Sequence, residues 1–149
     1  MPDFDAIATA LAARFAGGVA TPAAPAGLTD VREATANLPN ELGPLPAVLV
    51  FTDHGELGRV GNQTRIGVAT FRVRFYLALG VDLARDEVQL RQWATVLVDR
   101  LKVATTLSGT VTRAAVMSWQ IGAMRFGGQE FSGIELVVAA VTSEPWAAS

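Results

Sequence analysis

The last third of the chain favours one β-hairpin register over the alternatives. Residues 125–141 read RFGGQEFSGIELVVAAV, in which two adjacent glycines separate two stretches able to form strands. Glycine adopts positive φ angles without strain, so Gly127 and Gly128 suit a two-residue hairpin turn. Such a turn pairs Phe126 with Gln129 and fixes every later pair, since a slip of one residue would move each side chain to the opposite face.

The predicted register divides the hairpin into a core face and a mixed face. The core face pairs Arg125 with Glu130, Ala123 with Ser132, Ile121 with Ile134, Trp119 with Leu136 and Met117 with Val138. The mixed face pairs Met124 with Phe131, Gly122 with Gly133, Gln120 with Glu135, Ser118 with Val137 and Val116 with Ala139. The mixed face is too apolar to be purely solvated, so we expect something to pack there. Its paired glycines predict either a notch open to another backbone or side chain, or a local twist or bulge.

Two further segments show the three- and four-residue spacing of amphipathic helices. The first, DFDAIATALAARF, starts near Asp3 or Asp5 and ends at Gly17 and Gly18; the second, DEVQLRQWATVLVDRLKVA, can be capped by Asp82 or Asp86. Their apolar stripes are Phe4, Ile7, Ala8, Leu11 and Phe15 in the first helix, and Leu90, Trp93, Ala94, Leu97 and Leu101 in the second. We expect the second stripe to lie on a sheet.

The middle of the chain predicts two strands. AVLVF, residues 47–51, has the β-branched and aromatic composition of a buried strand. DHGELGRVGNQTR, residues 53–65, predicts a long loop or a protruding hairpin. From Gly67 onward the residues alternate, as in a half-covered strand. Ala69, Phe71, Val73, Phe75, Leu77 and Leu79 point one way, and Thr70, Arg72, Arg74 and Tyr76 point the other.

Together these elements predict an α+β fold, with a mostly antiparallel sheet, amphipathic helices on one face and a C-terminal hairpin. A chain of 149 residues suits one domain, residues 1–149. Residues 17–27, rich in alanine, proline and glycine, predict a flexible connection that could also reach a neighbouring subunit. The charged fraction of 17% leaves few charged side chains for the surface, which is consistent with partial cover by another subunit.

Composition also argues against several classes of protein. A net charge of −2 is unlike the basic stripe of a dedicated nucleic-acid binder, although transient passage of DNA remains compatible with it. The chain has no cysteine for a disulfide or a thiolate metal site. Its apolar stretches AVLVF and IELVVAAV are well short of the roughly 20 residues that cross a bilayer, so we expect no membrane association.

No residue pattern indicates an enzyme. His54, beside Asp53, lacks the nucleophile of a catalytic arrangement, and an exposed turn pair is the commoner role for such neighbours. One histidine and scattered carboxylates predict no metal site. GELGRVGNQTR lacks the lysine and serine of a phosphate-binding loop and precedes a strand, so we expect no cofactor.

The order of these elements, with the hairpin sequence RFGGQEFSGIELVV, resembles the tail-terminator (tail-completion) proteins of long-tailed bacteriophages. The resemblance implies a sheet made of Leu45 to Phe51, Gly67 to Leu79 and the hairpin from Val116 to Thr142, with the Trp93 helix on one face. It implies a non-enzymatic hexameric ring that caps the tail tube, stops tube growth and binds the head-completion or connector protein. The genome would pass through the lumen. The protein would be assembled in the host cytoplasm and would lie at the head-proximal end of the tail in the virion.

The resemblance makes the stretch 53–65 a candidate contact with the tube or a neighbouring subunit, and the residue patterns themselves add single candidates. The candidate interface residues are Arg59, Arg65, Arg72, Arg74, Gly122, Met124, Phe131, Gly133 and Trp146. Arg72 and Arg74 could meet carboxylates of a neighbour or a DNA backbone, or they could simply be solvated. Trp93 and Trp119 are expected in the core, whereas Trp146 could anchor on another chain or on its own surface.

Two other functions remain open at this point. Another neck or head-completion protein would differ in its partner. A small-molecule-binding α+β dimer would enclose an apolar pocket between the sheet and the Trp93 helix, with His54 and Asp53 at the mouth.

Overall fold

The part of the chain that the structure describes forms two helices and five strands. A computed structural model describes residues 3–18, 21–60, 64–103, 105–107, 109 and 111–145. In chain order the elements are α1 (Phe4–Phe15), β1 (Glu33–Thr35), β2 (Ala47–Val60), β3 (Thr64–Leu79), α2 (Leu83–Lys102), β4 (Arg113–Phe126) and β5 (Gln129–Pro145). The predicted α+β class, the mostly antiparallel sheet and the C-terminal hairpin are confirmed.

The five strands form one sheet in the order β1-β2-β3-β5-β4. β1 runs parallel to β2, and the other three pairs are antiparallel. The stretch 53–65 is a hairpin and not a loop, because β2 and β3 pair as far as Val60 and Thr64. β1 was not predicted, since a three-residue strand is too short to show a periodic pattern.

The register of the β4–β5 hairpin follows the prediction over most of its length. Gly127 and Gly128 have φ angles of 59° and 81°. Pairing runs as expected from Phe126 with Gln129 to Ser118 with Val137. A β-bulge at Met117 then shifts the ladder by one residue, so that Val116 pairs with Val138. The predicted pairs of Met117 with Val138 and of Val116 with Ala139 are therefore wrong.

Both helices pack on the same face of the sheet, which we call the helix face. Asp3 caps α1 by accepting a hydrogen bond from the Ala6 amide at 3.0 Å, and Asp82, not Asp86, caps α2 in the same way from Arg85. The predicted stripe of α2 is buried in full, and Trp93 packs on Phe75 with ring centroids 4.8 Å apart. The helix stripes and the inward residues of β2 to β5 form one apolar core.

The alternation predicted for β3 ends before the strand does. It holds from Ala69 to Phe75, whose inward side chains are buried. A second bulge, between Tyr76 and Ala78, then interrupts the pairing with β5. Leu79 is consequently exposed and does not join the core.

The opposite face of the sheet, which we call the open face, carries a second apolar cluster at one end. Leu49, Tyr76, Met124 and Phe131 are buried in this cluster, and Leu42 and Leu45 pack against it. The chain itself therefore supplies part of the cover that the mixed face of the hairpin predicts.

A buried arginine holds the connection between α1 and β1. The Arg100 side chain, on α2, is fully buried and donates to the carbonyl oxygens of Pro22 at 2.9 Å and Phe15 at 3.1 Å and to Asp30 Oδ1 at 3.1 Å. Asp30 also accepts from the Gly18 amide. Within residues 17–27, positions 19 and 20 lie outside the described residues, and the flexibility of this connection stays a prediction.

Candidate functional site: the two edges of the sheet

One edge of the sheet is β4, and two large apolar side chains lie exposed on it. Within the described residues, β4 pairs with β5 alone. Met117 is 66% exposed and Trp119 54% exposed. The prediction that Trp119 lies in the core is wrong, because β4 is at the border of the helix-covered area and α2 covers the ring only in part.

Trp119 borders a groove between β4 and α2 on the helix face. The groove has a volume of about 430 Å³. It is lined by Arg91, Ala94, Thr95, Val98, Asp99, Lys102 and Trp119. Exposed aromatic and methionine side chains beside a groove are typical of protein contact surfaces, where they supply a large buried area.

At the other edge of the sheet, no strand among the described residues pairs with the outer side of the distal half of β2. β1 pairs only with Ala47, Val48 and Leu49, and residues 52–58 are all exposed. A bulge between Thr52 and His54 displaces Asp53 from the ladder. We call residues 52–58 the free stretch of β2.

An apolar pocket of about 300 Å³ lies on the helix face beside the free stretch of β2. It is lined by Phe4, Thr52, His54, Gly55, Glu56, Leu57, Gly67, Val68 and Ala69. Phe4 and Leu57 are both exposed, so two apolar side chains at the pocket remain in contact with water.

The open face carries a network of charged residues across three strands. Arg72 Nη1 donates to Glu135 Oε1 at 2.7 Å, and Arg74 Nε donates to Glu135 Oε2 at 2.8 Å. Arg72 Nε also lies 3.5 Å from Asp53 Oδ1, and Asp53 Oδ2 lies 2.9 Å from His54 Nδ1. The hydrogen bond with His54 is the largest cause of a lowered Asp53 pKa, and Arg72 adds to it. Arg72 and Arg74 are thus paired with carboxylates of their own chain.

The predicted notch at the paired glycines is open on one side only. A Cβ atom on Gly122 would meet nothing within 4 Å, and Gly122 lines a groove of about 320 Å³ with Arg74 and Glu135. A Cβ atom on Gly133 would collide with the Phe75 carbonyl oxygen. The backbone of β3 therefore fills the space beside Gly133 that a side chain would need.

The other candidate interface residues differ in their accessibility. Met124 and Phe131 are largely buried by their own chain, although Met124 forms part of the wall of the groove at Gly122. The backbone of Arg59 pairs with that of Arg65 near the tip of the β2–β3 hairpin. Trp146 lies outside the described residues.

The structure brings together no group of three or more histidine, aspartate or glutamate side chains suited to a metal ion, as far as the described ranges extend. In the same part of the chain, neither helix is long and apolar enough to span a bilayer. No protein-family model matches the sequence, and comparison with curated proteins returns no match.

Proposed function

We propose that this chain is the subunit of a tail-terminator ring of a long-tailed bacteriophage. The observation that carries the proposal is the edge strand β4, which is 14 residues long and exposes Met117 and Trp119. Proteins that stay monomeric usually protect such an edge with short strands, prolines or charges along it. β4 has no proline, and its charges are confined to Arg113 and Arg125 near the two ends. An edge of this kind is suited to contact with another protein surface.

The element order adds support. The resemblance to tail terminators rests on an N-terminal helix, a proline-bearing connection into a short strand, a long strand, a second helix and a final hairpin. The fold has these elements in this order, but β1 is additional, and β2, from Ala47 to Val60, is longer than the predicted strand from Leu45 to Phe51. The mechanism of such a ring is steric. Copies of the chain would occupy the surface on which another tube layer would add, and the far side of the ring would bind the head-completion or connector protein. The ring would lie at the head-proximal end of the tail, with the genome passing through its lumen.

The proposed role requires no catalysis. The two alternative roles differ from it in their partner or in the pocket that they need. A neck or head-completion protein would use the same edges with another partner. A small-molecule-binding dimer requires an enclosed pocket between α2 and the sheet. The Trp93 ring is fully buried against Phe75, so it occupies the centre of the space between α2 and the sheet, and the apolar pocket lined by His54 lies beside Phe4 of α1 instead.

Particles assembled without this protein test the proposal. We expect electron microscopy to show tails of unregulated, greater length and heads without attached tails. Supplying the intact protein during assembly should restore one tail length, and the restored ring should have a mass close to six chains. Tails of normal length, joined to heads in the absence of the protein, would contradict the proposal.

A further inference from the structure

The two open edges of the sheet have opposite charge. β4 carries Arg113 and Arg125 and no acidic residue. The free stretch of β2 carries Asp53 and Glu56 and no lysine or arginine. Opposite charge favours the approach of one edge to the other over the approach of two like edges, through longer-range attraction and not through ion pairs between facing residues.

The strand directions allow these two edges to meet. β2 is antiparallel to β3, β3 to β5 and β5 to β4, so β4 is antiparallel to β2 of the same chain. A second copy, rotated about an axis roughly parallel to the strands, therefore presents its β2 antiparallel to β4 of the first copy. This operation keeps the helices of both copies on the same side of the extended sheet.

Side-chain shape on the helix face agrees with this arrangement. Trp119 projects on the helix face at the β4 edge, and the apolar pocket lies on the helix face at the β2 edge. Gly55, which has no side chain, forms part of the pocket wall beside the exposed Leu57. When two copies lie edge to edge, the aromatic ring of one and the pocket of the next are on the same side of the sheet.

Resting on the ring proposed above, we infer that β4 of one copy adds to the free stretch of β2 of a second copy. Trp119 enters the pocket beside Phe4 and Leu57 of that second copy. The contact joins two different surfaces, so an open series of copies keeps a free β4 edge at one end and a free β2 edge at the other until it closes into a ring. A twofold dimer through two β4 strands would instead close at two chains and would bring arginines near arginines.

Cross-linking between two single-cysteine variants tests this contact, because the natural chain has no cysteine. Ser118→Cys on β4 and Glu56→Cys on β2 both place the thiol on the open face, where both residues are exposed. One variant carries a mass tag, and a short bismaleimide captures brief encounters in the mixed sample. Gln120→Cys with His54→Cys is a second pair on the same face. The matched control pairs Ser118→Cys with Val88→Cys, an exposed position on α2.

We expect the 118–56 product to form at least about tenfold faster than the 118–88 product, because strand pairing raises the effective concentration of the two thiols. A rate no higher than the control for both strand pairs would overturn the inference. So would a 118–118 product that forms faster than the 118–56 product, since it indicates the twofold dimer.

Tail length tests the ring's role separately. If a six-chain ring caps tails but the 118–56 cross-link does not form, this contact is wrong and the tail role stands. If the cross-link forms in a ring but tail length does not depend on the protein, the tail role is wrong and the contact stands.

Discussion

Arg100 is the residue whose loss we expect to destabilise the protein most clearly. Arg100→Leu removes the donors to Pro22, Phe15 and Asp30 and leaves these acceptors without their partner. Leaving the carbonyl oxygens of Pro22 and Phe15 without a donor costs about 2 kcal/mol or more in the free energy of unfolding, measured by urea denaturation, whereas Asp30 keeps its hydrogen bonds from the Gly18 and Val31 amides.

Lys102→Leu is the control for Arg100→Leu. The Lys102 side chain is 72% exposed and lies 3.7 Å from Asp99. Its replacement should change the free energy of unfolding by no more than about 0.5 kcal/mol. Equal unfolding midpoints for the two variants would contradict the role assigned to Arg100.

Asp86 gives a prediction for acid stability. It accepts two hydrogen bonds from Arg85 and one from Ser132, each at 2.7 Å. The bonds from Arg85 are the largest cause of a lowered Asp86 pKa, burial opposes them, and Ser132 adds to the lowering. A pKa lower in the folded than in the unfolded state stabilises the fold above the ordinary aspartate value of 3.8, and this stability is lost as the pH falls below it.

Asp86→Asn should therefore be less stable than the natural protein near neutral pH, and the difference should shrink as the pH falls below 3.8. Urea midpoints measured across this range check the prediction. Asp30, whose pKa is also lowered, remains in the variant and keeps part of the acid sensitivity. Parallel plots of urea midpoint against pH for the two proteins would show that Asp86 does not contribute to the loss of stability in acid.

At the level of the strands, Gly133 and Gly122 form a matched pair for substitution. They face each other on β5 and β4. Gly133→Ala forces a Cβ atom against the Phe75 carbonyl oxygen, and we expect a cost of about 1–3 kcal/mol in unfolding free energy. Gly122→Ala meets open space and should change it by less than about 0.5 kcal/mol. Comparable losses in the two variants would mean that strand conformation, and not the contact with β3, sets the cost.

The elements that the sequence predicts well are those with a local cause. Gly127 and Gly128 determine the turn and the register as far as Ser118, and regular spacing identifies both helix stripes. The bulge at Met117 depends on how β4 ends against the rest of the sheet, which no local pattern records. β1 forms because residues 33–35 lie beside the start of β2 in the folded chain. Its three residues alone show no strand pattern.

At the level of the whole molecule, the candidate site depends on which strands lie at the edges. Strand order is a long-range property, so the sequence could not show that Trp119 lies on an open edge or that Arg72 and Arg74 pair with Glu135. Local composition left a long loop and a hairpin open for residues 53–65, and the pairing of β2 with β3 shows the hairpin. Composition did not indicate that this hairpin leaves an acidic strand edge exposed.

Trp119 should govern association of the whole molecule. Trp119→Lys removes the aromatic contact and places a charge at the edge, and we expect association to weaken by about 2 kcal/mol, roughly thirtyfold in the dissociation constant. Val88→Lys, at an exposed position on α2, is the control. Sedimentation velocity at concentrations where the natural protein associates checks the prediction, with circular dichroism to compare the folds. Equal association of both variants with the natural protein would exclude Trp119 from the contact.

The strand order also has a consequence for the folding rate. β2 with β3, and β4 with β5, are hairpins of neighbouring segments, whereas the pairing of β3 with β5 joins residues separated by all of α2 and β4. Closing that long segment costs more chain entropy than closing either turn. We therefore expect each hairpin to form early, and docking of the two along the β3–β5 seam to limit the rate at which the chain reaches its native state.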